Sequence, residues 1–330
     1  MSTLGSTSFL VDLLIKNIDV KGIIGLSHLY NDDRVSGYMN YRDVANENAL
    51  EYIEVEEYKL STSDFNVLSN LEIDVLLVLG WQRLIPFWLI DNCNVGAIGI
   101  HGSAYGIQRG RGRSPQNWAL ILGESSFSIS IFWIEKGIDS GRVIDTEEFL
   151  IDKMHDDIKS MYLKVSASVY KMIQENLRNG NISGRFGDVQ IEAESEYLPQ
   201  RIPEDGQIDW SCDNDEIMRF IRALTKPYPG AFSYIEGNLI KIWRARPLEI
   251  ELCDCETGKI VFVNMDNSFI VKTDESFLLI EEHESVIKVE KDMMFTSFDK
   301  TTQMKEIIER HRRKHPRLKL NSTIMKQLSN

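Results

Sequence analysis

The sequence predicts an α/β protein: a mainly parallel sheet with helices on both faces, followed by a small β-rich domain. Over the first 150 residues, short apolar runs alternate with amphipathic stretches, the pattern of βαβ units. Beyond Pro229 the apolar runs become short and closely spaced, separated by turn residues such as Glu236-Gly237-Asn238 and Asp266-Asn267, as in a small antiparallel barrel or sandwich. A length of 330 residues with 43% hydrophobic composition exceeds one ordinary core, so two or three domains are expected.

In chain order, strands are expected at Gly22 to Leu26, Asp74 to Leu79, Ala97 to His101 and Phe127 to Trp133, with helices at Phe9 to Lys16 and Pro115 to Leu122. The opening residues, MSTLGS, leave room for only a short, weak edge strand. Glycines close several strands, at Gly25, Gly80 and Gly102, where the chain must turn sharply or approach a ligand. Ligands of open α/β sheets bind outside the carboxyl ends of the strands, which directs attention to Leu79 to Gln82 and His101 to Ser103. From Met154 to Leu177, Ile158, Met161, Val165, Val169, Met172 and Ile173 recur at helical spacing, with Gly180 as the stop.

A polar loop through Pro199 and Pro203 leads to a second helix bearing Ile217, Phe220, Ile221 and Leu224, capped by Ser211 or Asp213. Short strands follow at Phe232 to Ile235, Leu239 to Trp243, Lys259 to Val263, Ser268 to Thr273, Phe277 to Glu281 and Val286 to Val289. The expected layout is a catalytic domain over residues 1–205, a small β-rich domain with its linking helix over 206–298, and a basic helical tail over 299–330.

Composition narrows the function. With 26% charged residues and no apolar run of bilayer length, neither a membrane span nor a disordered chain fits. The N-terminal residues lack a secretory pattern, so the cytoplasm is the expected compartment. Four cysteines are too few for a disulfide framework, and Cys253 with Cys255 has no second pair at metal-ligand spacing, so no metal is expected. A net charge of −13 disfavours broad electrostatic binding of nucleic acid. The charge is uneven: from Lys300 to Asn330 nine Lys or Arg face two Glu, a local +7 that leaves −20 on residues 1–299. The RHRRKHPRLK run, interrupted by Pro316, reads first as a solvated helix.

Three segments can carry chemistry. Ile98-Gly99-Ile100-His101-Gly102-Ser103 is an apolar strand that delivers a histidine into a small-residue turn. An imidazole, with an ordinary pKa of about 6.5, suits proton transfer or oxyanion stabilisation, although a lone turn histidine is as often structural. Gly106 to Pro115 sets Arg109, Arg111 and Arg113 among glycines, which suits phosphate or carboxylate binding but matches neither dinucleotide nor P-loop fingerprints. Gly137-Ile138-Asp139-Ser140-Gly141 places a carboxylate between glycines after the strand ending at Trp133. A His and an Asp at two strand ends, separated by an Arg/Gly loop, have the order of a base and its orienting partner.

The run HGS at residues 101–103, then RGRGRSPQNWAL, then SISIFWIEKGIDSGRVI resembles the formyltransferases that use 10-formyltetrahydrofolate, a family that includes methionyl-tRNA and sugar-nucleotide N-formyltransferases. The resemblance extends through Val78-Leu79-Gly80-Trp81 and Leu84-Ile85-Pro86, then Gly206-Gln207-Ile208-Asp209-Trp210, Ile221-Arg222-Ala223 and Pro227-Tyr228-Pro229-Gly230-Ala231-Phe232. It covers roughly residues 70–245 and implies a Rossmann-like catalytic domain with an OB-like C-terminal domain. It also implies an Asn-x-His motif and a later Asp. His101 and Asp139 take two of these places, but the Asn position holds Gly99. Asn117, Gln116 or a water is then needed as substitute oxyanion donor, since losing such a donor costs about a hundredfold or more in rate.

By the same resemblance the pterin lies near Leu79, Gly80 and Trp81 and near Ile138, Ser140 and Gly141. Gly102, Ser103, Arg109, Arg111, Trp210, Arg222 and Tyr228 are the candidate substrate contacts. The implied reaction is N-formylation of a nucleotide-linked amino sugar in surface-glycan (lipopolysaccharide) biosynthesis, because Asn117-Trp118 and the Pro-Tyr-Pro-Gly-Ala-Phe run look closer to the sugar enzymes and the acidic body offers little to tRNA. Alternatives are methionyl-tRNA or a carrier-bound amino acid as acceptor, and a folate- or nucleotide-binding protein with impaired catalysis. Acidic small-strand domains often serve as interfaces, so a homodimer is among the assemblies the sequence allows.

Overall fold

A computed structural model describes residues 1–30, 35, 37–252, 255–274 and 276–327. Cys253 and the last three residues of the tail lie outside these. The chain forms two compact units that do not follow the linear sequence. The first comprises residues 1–111, 126–150 and 160–195, and the second 112–125, 151–159 and 196–330.

In the first unit, β1 (Gly22–Leu26) and β2 (Glu51–Val55) pair in parallel, as do β3 (Ile73–Val78) and β4 (Cys93–Ser103), with Val78 opposite Gly99. The opening residues join the two pairs. Ser2 N–H donates to Ile24 O, Leu79 N–H donates to Met1 O, and Ser2 bridges Leu79 in parallel. Beyond β4 the sheet turns antiparallel: β5 (Ser126–Trp133) runs against β4 with Ser130 opposite His101, and β6 (Val143–Leu150) runs against β5. The expectation of a mainly parallel sheet thus holds for one half. The tight 134–142 connection between β5 and β6 is too short for a crossover, so only antiparallel pairing is open to it. The sequence does not mark β6, because its burial alternates along an exposed, acid-rich stretch, VIDTEEFL.

The core of this unit gathers Ile24 and Leu26 of β1, Val55 of β2, Leu76 and Val78 of β3, and Ala97 of β4. Against it lie Leu68 from α3 (Thr62–Leu68) and Leu89 from α4 (Phe87–Asp91), which follow α1 (Ser8–Asn17) and α2 (Arg42–Glu47) in chain order. The expected packing helix appears later as α6 (Ile158–Arg178), with all six of its apolar stripe residues buried. The start of α3 is fixed by Asp64, only 3% exposed, whose carboxylate accepts from the backbone N–H groups of Glu56 (2.8 Å), Glu57 (3.3 Å) and Ser61 (3.1 Å).

The second unit contains α5 (Pro115–Ile121), α7 (Asn214–Leu224) and a five-stranded antiparallel sheet. The strands are β7 (Ala231–Ile235), β8 (Asn238–Leu248), β9 (Ile260–Val263), β10 (Phe269–Lys272) and β11 (Phe277–Ser285), in the order β9-β10-β11-β8-β7. α7 packs on α5 and β8, and Asp213 caps it by accepting from Glu216 N–H at 2.7 Å. The strand expected at Val286 to Val289 does not form. β11 already has β10 on one side and β8 on the other, and Ser285 Oγ accepts the Ile287 N–H at 3.1 Å, turning the chain out of the sheet. The tail is helical over α8 (Lys300–Lys314) and, past Pro316, α9 (Ser322–Lys326). Among the described residues, no helix is long and apolar enough to cross a membrane.

Replacing Asp64 by Ala strips three backbone donors of a charged acceptor, and the expected cost is about 3 kcal/mol. Asp64→Asn retains an acceptor and should lose about half of that. Urea unfolding with an unchanged m-value measures both.

Candidate active site

β4 is an apolar strand whose last residues alternate about the sheet, so Gly99, His101 and Ser103 share one face. The His101 side chain is 9% exposed and held on both sides. Its Nε2 lies 2.8 Å from the carbonyl oxygen of Gly110, and its Nδ1 lies 3.5 Å from Asp139 Oδ2. A carbonyl only accepts, so the proton of a neutral His101 sits on Nε2, leaving the Nδ1 lone pair toward the carboxylate. That pairing becomes attractive once Nδ1 takes a proton. The Asp139 side chain is 25% exposed, so the pair is reachable from solvent on the carboxylate side.

Gly110 is close-packed beneath this anchor. A Cβ at position 110 would lie 1.7 Å from Ser103 Oγ, so only glycine brings the carbonyl to the imidazole. Ser103 is fully buried and its hydroxyl accepts the Tyr105 N–H at 3.0 Å. Gly102 is buried as well, with Phe127 and Ile129 where a side chain would begin. Both residues support the His101 turn.

Asp139 has a φ of +50°, in the left-handed region that a non-glycine residue adopts only when held there. It is held by Gln190, whose Nε2 donates to Asp139 O at 2.9 Å and Gly141 O at 2.7 Å. Arg111 in turn donates from Nη2 to Gln190 Oε1 at 3.0 Å and from Nη1 to Glu192 Oε2 at 2.7 Å. Arg111 is fully buried, and its guanidinium is an internal tie. Arg109, in the single helical turn at Gly106–Arg109, is exposed.

At the end of β3, Leu79 is buried and Gly80 has a φ of +68°. Trp81 belongs to the core, edge-on to Tyr58 at 5.0 Å, so its indole packs and does not stack on a ligand. Ile138, beside Asp139, is 44% exposed, Ser140 Oγ donates to Lys136 O, and Gly141 is buried.

The remaining candidates lie in the second unit and are mostly committed. Asn117 is buried in α5 and donates from Nδ2 to Ala223 O at 2.7 Å. Trp210 is 3% exposed, stacked on Phe295 at 4.8 Å and bonded to Ser233 Oγ, as a core residue. Arg222 donates from Nε to Asp156 O at 3.1 Å and from Nη2 to Lys153 O, a helix-to-loop tie and not a diphosphate clamp. Tyr228 is half-buried, with its N–H donated to Thr225 O.

The glycine at position 99 has a packing partner. Gly99 lies opposite Phe132 on β5, and a Cβ at 99 would meet Phe132 Cζ at 2.9 Å and Ile134 Cγ1 at 3.2 Å. Phe132 fills the volume that an asparagine side chain would need. Gly99→Asn alone should therefore overpack the strand pair and cost about 1–3 kcal/mol. Combined with Phe132→Ala, the introduced amide gains room, so a double-mutant cycle of unfolding free energies should show a coupling of at least about 1 kcal/mol.

Residues 41–177 match the formyl transferase family and residues 201–298 match the formyl transferase C-terminal domain. The chain is 31% identical over 223 residues to methionyl-tRNA formyltransferase of Alkaliphilus oremlandii, covering 67% of this chain and 69% of that protein. It is 33% identical over 184 residues to the bifunctional polymyxin resistance protein ArnA of Wigglesworthia glossinidia brevipalpis, covering 54% of this chain and 27% of that one. The fold is shared with the N-formyltransferase from Helicobacter canadensis solved with folinic acid and dTDP-3-aminofucose, at a TM-score of 0.55 and 16% identity over 84% of this chain and 96% of that one. With a relative above 30% identity aligned over two thirds of both chains, and with both domains of the family matched in order, this chain belongs to the formyltransferase family.

Proposed function

We propose that this formyltransferase moves the formyl group of 10-formyltetrahydrofolate to the amine of a nucleotide-linked amino sugar, with His101 and Asp139 at the reacting centre. The observation that carries the reading is the anchored imidazole: Nε2–H is fixed on Gly110 O, and Nδ1 faces the Asp139 carboxylate at 3.5 Å. As the amine nitrogen bonds to the formyl carbon, one of its protons passes to Nδ1, and Asp139 stabilises the imidazolium so formed. The proton then leaves with N10 as the bond from N10 to the formyl carbon breaks and tetrahydrofolate departs. The exposed Ile138 side chain supplies an apolar wall for the pterin, and the backbone of residues 79–81 and 138–141 supplies polar groups for its edge. With glycine at position 99, water, backbone or the protonated His101 itself meets the oxyanion.

A small acceptor is favoured by charge. The −20 carried by residues 1–299 opposes a polyanion, whereas a diphosphate needs one or two cations, of which Arg109 is the exposed candidate. The shared fold with a neighbour solved with dTDP-3-aminofucose supports the same choice. Methionyl-tRNA is the second reading, favoured by the 31% identical relative and by the basic tail.

The test is formyl transfer to a panel of UDP-, dTDP- and GDP-linked amino sugars and to methionyl-tRNA. Turnover of one sugar, reduced by about 10²–10⁴-fold in kcat/KM by His101→Ala and by Asp139→Asn, is the expected result. Transfer to methionyl-tRNA alone, weakened by truncation before Lys300, would replace the sugar by tRNA.

A further inference from the structure

The groups around His101 close into a ring. From His101 the path runs through Gly110 O to Arg111, from Arg111 Nη2 to Gln190 Oε1, from Gln190 Nε2 to the backbone of Asp139 and Gly141, and from Asp139 Oδ2 back to His101 Nδ1. One carboxamide therefore joins the segment that anchors one imidazole nitrogen to the loop that faces the other. Both amide hydrogens and the carbonyl oxygen of Gln190 are used, and among the side chains only a carboxamide offers two donors and an acceptor together. Adjacent ties hold the same segment: Asp188 and Val143 exchange two backbone hydrogen bonds at 2.8 Å, and Gln108 Nε2 donates to Ile191 O at 2.6 Å. Residue 190 falls between the two stretches matched by the family, 41–177 and 201–298.

We propose that Gln190 is a positioning residue for formyl transfer, setting the separation of Asp139 from His101 by tying the Asp139 loop to Arg111. The inference rests on the His101–Asp139 reading given above. Gln190 donates only to backbone, so it acts by fixing the left-handed Asp139 and not by touching the reacting atoms. A misplacement of the order of 1 Å between catalytic groups costs about 100-fold in rate, which sets the scale of the effect.

The test compares the full chain with Gln190→Met, which keeps length but removes the amide, and Gln190→Glu, which keeps the acceptor for Arg111 but turns a carboxylate on two carbonyls. Gln190 is only half-buried and both variants are expected to fold. The expected result is a fall in kcat of about 10–100-fold in both, with KM for the amine and the Kd for folinic acid within about twofold of wild type. Hydrogen exchange should rise in residues 137–141 and 108–111 while that of β1 to β3 stays unchanged. Unchanged kcat, or a loss shared by kcat, KM and thermal stability, would overturn the proposal, as would unchanged exchange in the 137–141 loop. If the wild-type chain transfers formyl to no acceptor on the panel, raised exchange in the variant still establishes the tie, and the failure belongs to the formyl-transfer reading.

Discussion

The hydrogen bond from His101 Nε2 to the Gly110 carbonyl decides what the rest of the site can do. Since a carbonyl cannot donate, the bond selects one tautomer of the neutral ring and aims the basic nitrogen at Asp139. A lone pair and a carboxylate 3.5 Å apart repel mildly until a proton arrives between them, and then attract. Several features that look unrelated in the sequence serve this one bond. Gly110 has no side chain because Ser103 occupies the space, Ser103 is buried because it caps Tyr105, and the β4–β5 register places Ser130 across from His101.

Much of the architecture is legible because periodicity survives tertiary context where elements are long and one-sided. The six-residue stripe of α6 and the β1, β3, β4 and β5 strands are instances. β2 and β6 are not, because edge strands expose one face and carry charge, so neither alternation nor β-propensity marks them. At the site, the His and Asp are legible as strand-end residues in a recognisable order. Gln190 is not, because it lies in an irregular polar segment 51 residues from Asp139 in sequence, and its role exists only through two backbone carbonyls. The arginine and aromatic candidates fail for a shared reason. Residue type advertises what a side chain is able to bind, but not whether the fold has already claimed it, and Arg111, Arg222 and Trp210 are claimed.

Gly99 separates two functions that the family resemblance joins. An asparagine there would add an oxyanion donor on the same face as His101, while Phe132 across the strand pair makes that side chain too large. The replacement is a matched change in packing and not an isolated deletion, because a glycine with no partner would leave a void that costs stability. Around His101 one nitrogen is anchored on Gly110 O, the other faces Asp139, and the Asp139 loop is tied by Gln190. The left-handed conformation of Asp139 is held by the Gln190 amide.

Charge completes the argument about the acceptor. Three inward arginines are tied by the fold: Arg111 by Gln190 and Glu192, Arg222 by the carbonyls of Asp156 and Lys153, and Arg310 by the buried Asp205. A polyanion gains affinity by releasing counterions in proportion to the phosphates it neutralises, so each cation turned inward lowers the return on a large nucleic-acid footprint. A nucleotide sugar needs far fewer, since its affinity comes mostly from a pocket and a few placed polar groups. Among the outward cations of the tail, Arg312, Arg313 and Lys314 lie in the last turn of α8, where positive charge complements the helix dipole.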